Sequence, residues 1–572
     1  MNPTIDTGTE RTLGETMQVS LGESITLTAR KYPDRASFLF ADGSTHTFEQ
    51  TNSRVNQLVS ALTQAGVGRG DRIAVLALDS HCYVEIVLAA TKLGAVYVPL
   101  NYRLRRSEVD VLVGRAEPVV LFHDARYAEM LAGVGEQHGI RLVVQLDRSA
   151  EEPVAPYEAL LATGVDVEPP VVASDRDIIG LAFTSGTTGL PKGVLQSQRM
   201  MKAIVAAQVM EFRMRQGEVR YTAAPTFHIT GVCQMLAGVS HGFTSLVVPQ
   251  FDPQVTLDHL AADALTAVFM VPTMISSLLQ LPGVHDHDYE RLELMYYGAA
   301  AMSPTLLQRA MDTFGCDFLN AFGAGTEAGL QAVLTPEDHR LALQGRPELL
   351  GSIGKPAYGV ALRIVDDELR EVPVGEVGEI ATRSDMVFEG YLEMPEETDR
   401  ATRGGWFRAG DMGYLDANGY LYLHGRKKDM IVRGGENIYP IEIESVLAEH
   451  PDVVQSAAVG VDDEHWSEIV RAWVQLRKGA TVTAEELAAA KTYLTGAYPL
   501  RFDGNGPIAN ILIGMQMDGL GPEYVTERNA LVEALTSIVT RRLEDLDFSF
   551  ALPADFFALP AGFFAFFPAA PS

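Results

Sequence analysis

The chain has 572 residues, 47% of them hydrophobic and 21% charged, with a formal net charge of −29. That length exceeds one hydrophobic core. So acidic a balance disfavours the basic face that a phosphate backbone requires, so no nucleic-acid partner is expected. The three cysteines, Cys82, Cys233 and Cys316, lie far apart with neither metal-ligand spacing nor a disulfide framework, which fits a reducing, cytoplasmic setting. The N-terminal stretch "MNPTIDTGTERTLGETM" lacks the apolar core of a secretory signal. No apolar run is long enough to cross a bilayer; the nearest, "FFALPAGFFAFFPAAPS", is broken by Pro560, Pro568 and Pro571.

In chain order, Val55, Leu58, Val59 and Leu62 mark one face of a helix, which Gly66 and Gly68 are expected to stop. "RIAVLAL" (Arg72–Leu78) reads as a buried strand, "YVEIVLAATKLG" as a helix and "AVYVPL" as the next strand. The alternation recurs at "TAVFMVP" (Thr266–Pro272) and indicates an α/β layered fold, with mixed sheets flanked by helices. From about Gly351 short alternating segments and glycines suggest a β-rich subdomain. The cluster "HGRKKDMIVRGGENIYP" (His424–Pro440) reads as a boundary to a small α+β C-terminal domain. That domain would hold a helix in "IEIESVLAEHP" and strands in "SAAVGVD" and "VRAWVQLRKG". The texture changes again near Ala488; Lys491 is the last lysine, and an imperfect repeat, ALPADFF then ALPAGFF, starts at Ala551.

The stretch "LAFTSGTTGLPKGV" (Leu181–Val194) follows an apolar strand candidate. Glycines expose backbone N–H groups that converge on an anion. Thr184, Ser185, Thr187 and Thr188 add hydroxyls, and Lys192 adds a point charge suited to phosphate. The Walker pattern fails twice, with Pro191 where glycine is needed and Gly193 where Ser or Thr is needed. The residues alone leave open a flexible surface loop or a phosphate cradle outside the Walker class.

"TSGTTGLPKGV" resembles the loop of the adenylate-forming (ANL) superfamily, which includes the acyl-CoA synthetases, adenylation domains and firefly luciferase. In the family's order follow "YYGAAAMSP" (Tyr296–Pro304), "NAFGAGTEAG" (Asn320–Gly329), "GWFRAGDMGYLDANGYLYLHGRKKDMI" and "RGGENIYPIEIE". The resemblance covers roughly residues 20–488. It implies an adenylation domain over 1–424, a hinge at 425–428 and a partial small C-terminal domain over 429–488. A helical segment foreign to the family would follow over 489–545, then an Ala/Phe/Pro tail over 546–572. The implied chemistry is ATP-dependent activation of a carboxylic acid to acyl-AMP and transfer to a thiol, commonly coenzyme A. A homodimer is compatible with the resemblance.

The site residues that the resemblance implies are as follows. Thr184, Ser185, Gly186, Thr187, Thr188, Gly189 and Lys192 would hold the β and γ phosphates. Gly298, Ala299 and Ala300 would face the adenine, joined by Asn320, Phe322 or Gly323. "FGAGTE" carries one residue more than the usual motif, which leaves the stacking role of Phe322 open against Asn320, Ala321 or Gly323. Thr326 would contact the α-phosphate and Glu327 would bind Mg²⁺. Asp411 with Arg426 would hold the ribose, Lys428 would be the hinge residue, and Gly434 and Gly435 would let the backbone approach the thiol carrier. Phe227, His228, Thr230 and Gly231 in "TFHITGV" would line the acyl pocket. That segment has no charged residue to pair with an amine or a second carboxylate, so a simple fatty or aryl acid is expected.

One departure from the family is large. Its adenylating lysine lies near the C-terminus in a Pro-x-Gly-Lys-like stretch, and no lysine follows Lys491 here. Residues 491–536 resemble instead the C-terminal region of M16 zinc peptidases. Helical faces there fall at Ile508, Ile511, Leu512 and Met515 and at Leu531, Leu535 and Ile538. The peptidase H-x-x-E-H motif occurs nowhere in the chain, so peptidase activity is not expected. The expectation is therefore an acyl-CoA synthetase with impaired adenylation, or else a catalytically dead nucleotide- or acyl-binding protein.

Overall fold

A computed structural model describes residues 19–148, 154–170, 174–184, 191–300, 302–433, 436–447, 453–463 and 467–476. Ser185, Gly186, Thr187, Thr188 and Gly189, together with Gly434 and Gly435, lie outside the described residues. So do Lys491, the M16-like stretch and the Ala/Phe/Pro repeat.

Local signals set the helix boundaries. Helix Phe48–Gln64 starts at Thr47, whose hydroxyl accepts from the Gln50 N–H while the Gln50 side chain accepts from Thr47 N–H. Its stripe of Val55, Leu58, Val59 and Leu62 is buried to 3% exposure or less. Gly66, at φ +77°, makes the left-handed step after the helix. Gly68 belongs to the following turn, where its N–H donates to Asp71. Helix His81–Leu93 is capped by Ser80 and ends at Gly94 in the left-handed region.

Two large sheets organise the described residues before about 400. One runs Gly390–Tyr391, Lys192–Ser197, Ile178–Thr184, Val96–Pro99, Arg72–Leu76, Val120–His123, Leu142–Gln145. The other runs Lys355–Pro356, Ala332–Leu334, Asp317–Phe322, Leu294–Gly298, Ala267–Met270, Val219–Thr222, Thr244–Val247, Ala36–Phe40, Thr45–Thr47. Most neighbours pair in parallel, with antiparallel strands at the edges. Period-two alternation sorts the side chains into layers. Ile73, Val75, Phe269 and Tyr296 join the central core with helices Leu21–Lys31, Phe48–Gln64, His81–Leu93, Gln198–Glu211 and Ile229–His241. Their neighbours point the other way: Ala74 and Leu76 into one outer core, Val268, Met270, Met295 and Tyr297 into another.

The β-rich region after Gly351 is a four-stranded antiparallel sheet of Ala361–Val365, Gly378–Arg383, Phe407–Leu415 and Leu421–Arg426. The chain then turns through Lys427–Asp429 into a last sheet, in the order Glu436–Ile438, Ile431–Arg433, Ser467–Leu476, Val453–Asp463, beside helix Pro440–Leu447. Among the described residues no helix is long and apolar enough to cross a membrane.

Gly354 stitches the β-rich sheet to the nine-stranded one. Its carbonyl accepts from Leu421 N–H at 2.7 Å, its φ is +92°, and a Cβ there would lie 1.9 Å from the Val333 carbonyl oxygen. Gly354→Ala is expected to cost about 2 kcal/mol or more of stability, read as a lowered midpoint in thermal unfolding.

Candidate active site

The strands Ile178–Thr184 and Lys192–Ser197 form an antiparallel hairpin with Thr184 directly across from Lys192. Gly193 is required by close packing, since a Cβ would press on Leu181, Phe183 and Leu392 at 3.0–3.2 Å. On the outer edge of the hairpin Tyr391 pairs with Val194.

The hairpin faces the short helix Gly325–Ala328, which carries Thr326 and Glu327. Gln196 Nε2 donates to the Thr326 carbonyl at 3.1 Å, and Phe388 N–H donates to the Glu327 carbonyl at 2.8 Å. The helix is thus clamped to the hairpin. The Thr184 hydroxyl donates to Glu327 Oε1 at 3.3 Å, and the Tyr391 hydroxyl reaches the same oxygen at 3.4 Å. Burial raises the Glu327 pKa to about 7, although both hydroxyls pull it down. Lys192 Nζ donates to Glu397 Oε2 at 2.6 Å and lies 4.9 Å from the Tyr391 ring centre. The structure therefore brings Thr184, Lys192, Thr326 and Glu327 together at one mouth.

The extra residue of "FGAGTE" is absorbed here. Gly325 (φ +35°) and Gly329 (φ +56°) bracket the single helical turn. Gly323 packs so closely that a Cβ would sit 2.0 Å from the Gly329 carbonyl oxygen. Phe322 ends its strand and packs on the apolar cluster of Ala332, Ile353, Ile364, Ile380 and Leu421. Asn320 on the same strand is half-buried and Gly323 just beyond it is exposed. The adjacent strand ends at Gly298, where a Cβ would lie 2.2 Å from the Ala321 carbonyl oxygen, and Ala299 (φ +65°) and Ala300 follow it exposed. These residues lie at the carboxyl ends of neighbouring parallel strands, where open α/β sheets bind their ligands.

In the β-rich sheet Asp411 pairs in register with Arg426, whose Nε donates to Oδ1 at 3.0 Å. Burial raises the Asp411 pKa and Arg426 draws it back. Lys428 is exposed in the turn that follows, whose backbone is tied by Lys427 N–H to the Gly410 carbonyl at 2.8 Å.

The "TFHITGV" residues divide their tasks. Phe227 meets Tyr102 edge-on at 5.2 Å. His228 caps helix Ile229–His241, its Nδ1 accepting from Thr230 N–H at 3.2 Å, and burial lowers its pKa. Gly231 lines a cavity of about 30 Å³ with Asp79, Arg220, Thr226 and Gln234. That is room for about two waters rather than an acyl chain. Both Asp79 oxygens accept from Thr226 N–H, at 3.0 and 3.1 Å, and burial raises the Asp79 pKa to about 7.

Sequence reasoning missed Gln196, Tyr391, Glu397 and Asp79, because each acts through a partner far along the chain. The signal available was only the proximity of Gln196 to the loop. Among the described residues one triplet, His81, Cys82 and Glu158, gathers metal-type donors within 4.8 Å. Arg54 holds Glu158 and Glu85 at 2.6 Å each, and Ser80 caps the helix that begins at His81, whose N-terminus is itself positive. The group is accordingly an ion-pair network between helices and needs no cation.

The profile of the AMP-binding enzyme family matches residues 25–392, and that of the AMP-binding enzyme C-terminal domain matches 442–499. The chain is 32% identical over 465 residues to the fatty acid–[acyl-carrier-protein] ligase ScoC of Streptomyces coeruleorubidus, covering 78% of this chain and 85% of that one. It is 32% identical to feruloyl-CoA synthase of an Amycolatopsis species, covering 79% and 88%. Among solved structures, ATP-bound MatB from Rhodopseudomonas palustris superposes with a TM-score of 0.73 at 28% identity, covering 82% of this chain and 91% of that one.

Two outcomes are expected at this site. A carboxyl that keeps its proton up to about pH 7 when folded, but only to the ordinary 4.5 when unfolded, costs stability as pH rises between those values. Glu327→Gln is therefore expected to gain stability over the parent chain progressively from about pH 4.5 to 7 without added metal, measured by thermal melts across pH. Gly323→Ala must push the Gly325–Ala328 helix off the hairpin, and is expected to weaken ATP binding about tenfold or more by calorimetry.

Proposed function

The chain belongs to the AMP-binding enzyme family, and from that premise we propose that it activates a carboxylic acid with ATP, giving acyl-AMP and pyrophosphate. It then passes the acyl group to coenzyme A. The observation that carries this reading is the convergence of Thr184, Lys192, Thr326 and Glu327 at the hairpin mouth. Lys192 supplies a cation for the β and γ phosphates, and the Thr184 hydroxyl a donor. Thr326 stands by the α-phosphate, and Asp411, oriented by Arg426, accepts from the ribose hydroxyls. Glu327 fits a Mg²⁺ site, because a carboxylate buried among hydroxyls gains from a cation that also needs the phosphates as ligands. When bound, that ion supplies positive charge against the polyphosphate.

Coenzyme A as acceptor follows the synthase and ligase names of the relatives, one of which instead loads an acyl carrier protein. Fatty and aryl acids are the favoured substrates. Those names point to both, and the Phe227–Tyr102 pair offers an apolar wall.

Adenylation is impaired in this reading. No lysine follows Lys491, so no such side chain bridges the carboxylate and the α-phosphate, and the C-terminal family match ends at 499. Losing one such electrostatic group costs about 10²–10³ in rate. Thioester formation from acyl-AMP does not use that lysine in this family, and so survives. The same absence favours a second reading, a nucleotide-binding protein without turnover. Residues 491–536 are read as resembling M16 peptidases, although 491–499 also fall within the C-terminal family match.

Pyrophosphate release with ATP and a panel of fatty and aryl acids is expected to be slow, whereas coenzyme A consumption with supplied acyl-AMP is expected to be faster by about 10² or more. Adenylation at ordinary synthetase rates refutes the impairment. ATP binding in calorimetry with neither half-reaction supports the second reading.

A further inference from the structure

Lys192 is not solvated at the hairpin mouth. Its ammonium donates to Glu397 Oε2 at 2.6 Å, with the two side chains only 16% and 21% exposed. The Tyr391 ring forms one wall, 4.9 Å from Nζ. The other Glu397 oxygen, Oε1, accepts from Arg400 at 2.5 Å. One carboxylate therefore spans two cations, one inside the cleft and one outside it, since Arg400 is largely exposed.

Backbone fixes this arrangement. Glu397 sits in the first turn of helix Pro395–Thr402, where a negative charge is favoured by the helix N-terminus. The Thr398 hydroxyl accepts from Tyr391 N–H at 2.9 Å and donates to the Met394 carbonyl at 3.0 Å. Tyr391 is in turn in register with Val194, two residues from Lys192. The carboxylate thus meets Lys192 by the placement of the strand and the helix turn, not by chance contact of two long side chains.

We propose that Glu397 is a positioning residue that stands in for the polyphosphate. It holds Lys192 in one orientation at the mouth, and yields Lys192 to the incoming phosphate by withdrawing onto Arg400. The proposal rests on the reading of Lys192 as a phosphate ligand. An ionised carboxylate and a polyphosphate cannot share one ammonium at close range without mutual repulsion. Lys192 and Arg400 both hold the Glu397 pKa below the ordinary value, so the carboxylate stays charged at neutral pH and must move rather than take a proton. Arg400 and the helix N-terminus give it a place to go. The bond to Lys192 lowers affinity for ATP, and in exchange the ammonium waits in a single orientation.

The test uses the full chain, with Mg²⁺-ATP and free pyrophosphate as separate probes in calorimetry at fixed salt, and thermal melts to confirm folding of each variant. Glu397→Gln removes the competing charge and is expected to tighten both probes about three- to fivefold. Arg400→Ala leaves the displaced carboxylate beside the phosphate and is expected to weaken both by a similar factor. In the double variant the Arg400 effect should vanish, and affinity should match Glu397→Gln. A merely structural pair would weaken binding in both single variants and add in the double. Unchanged or weaker binding by Glu397→Gln, or an Arg400 effect that persists in the double variant, overturns the proposal. If ATP binds every form alike, this proposal alone falls; if neither probe binds any form, the functional reading falls with it.

Discussion

The antiparallel pairing of Ile178–Thr184 with Lys192–Ser197 is the constraint on which the rest of the site depends. A strand shows alternate faces at successive residues, so a slip of one residue would turn Lys192 and Gln196 away together. With the observed register Thr184 meets Glu327, Gln196 holds the helix that carries it, and the outer edge accepts Gly390–Tyr391. Lys192, Tyr391 and Glu397 are neighbours only because that edge strand and the helix after it are built onto the hairpin.

The carboxylates of the site are distinguished by what they face. Asp411 lies buried against a guanidinium, so its charge is matched before any ligand arrives. Glu327 meets the hydroxyls of Thr184 and Tyr391, and burial dominates its titration. Both oxygens of Asp79 accept from the Thr226 N–H at the start of "TFHITGV". The first suits a fixed hydrogen-bond acceptor, the second a cation that comes with its substrate, and the third the support of a loop. Glu397 differs from all three in being shared between two cations near the surface.

Much of the architecture was legible because its signals are local. The stripe of Val55, Leu58, Val59 and Leu62, the strand at Arg72–Leu76 and the alternating segments after Gly351 fold where their periodicity places them. Thr326 with Glu327 and Asp411 with Arg426 were named from the family's motifs; the first two share one helical turn and the second two pair across adjacent strands. Gln196, Tyr391 and Glu397 were not, since no spacing in the chain relates position 192 to position 397. His228, which the family resemblance places at the acyl pocket, also caps the helix that starts at Ile229.

The sequence by itself determined the layered α/β class, the glycines, hydroxyls and lysine of the loop at 184–192 and the lack of any lysine after Lys491. Backbone propensity, hydrophobic period and composition are properties of neighbouring residues, and they survive being read one after another. Only the tertiary structure decided that Glu327 answers to Thr184 and Tyr391, that Phe322 packs into an apolar cluster, and that Glu397 holds Lys192. Those outcomes depend on sheet order and on desolvation, which arise when distant segments pack and are encoded in no single stretch of the chain.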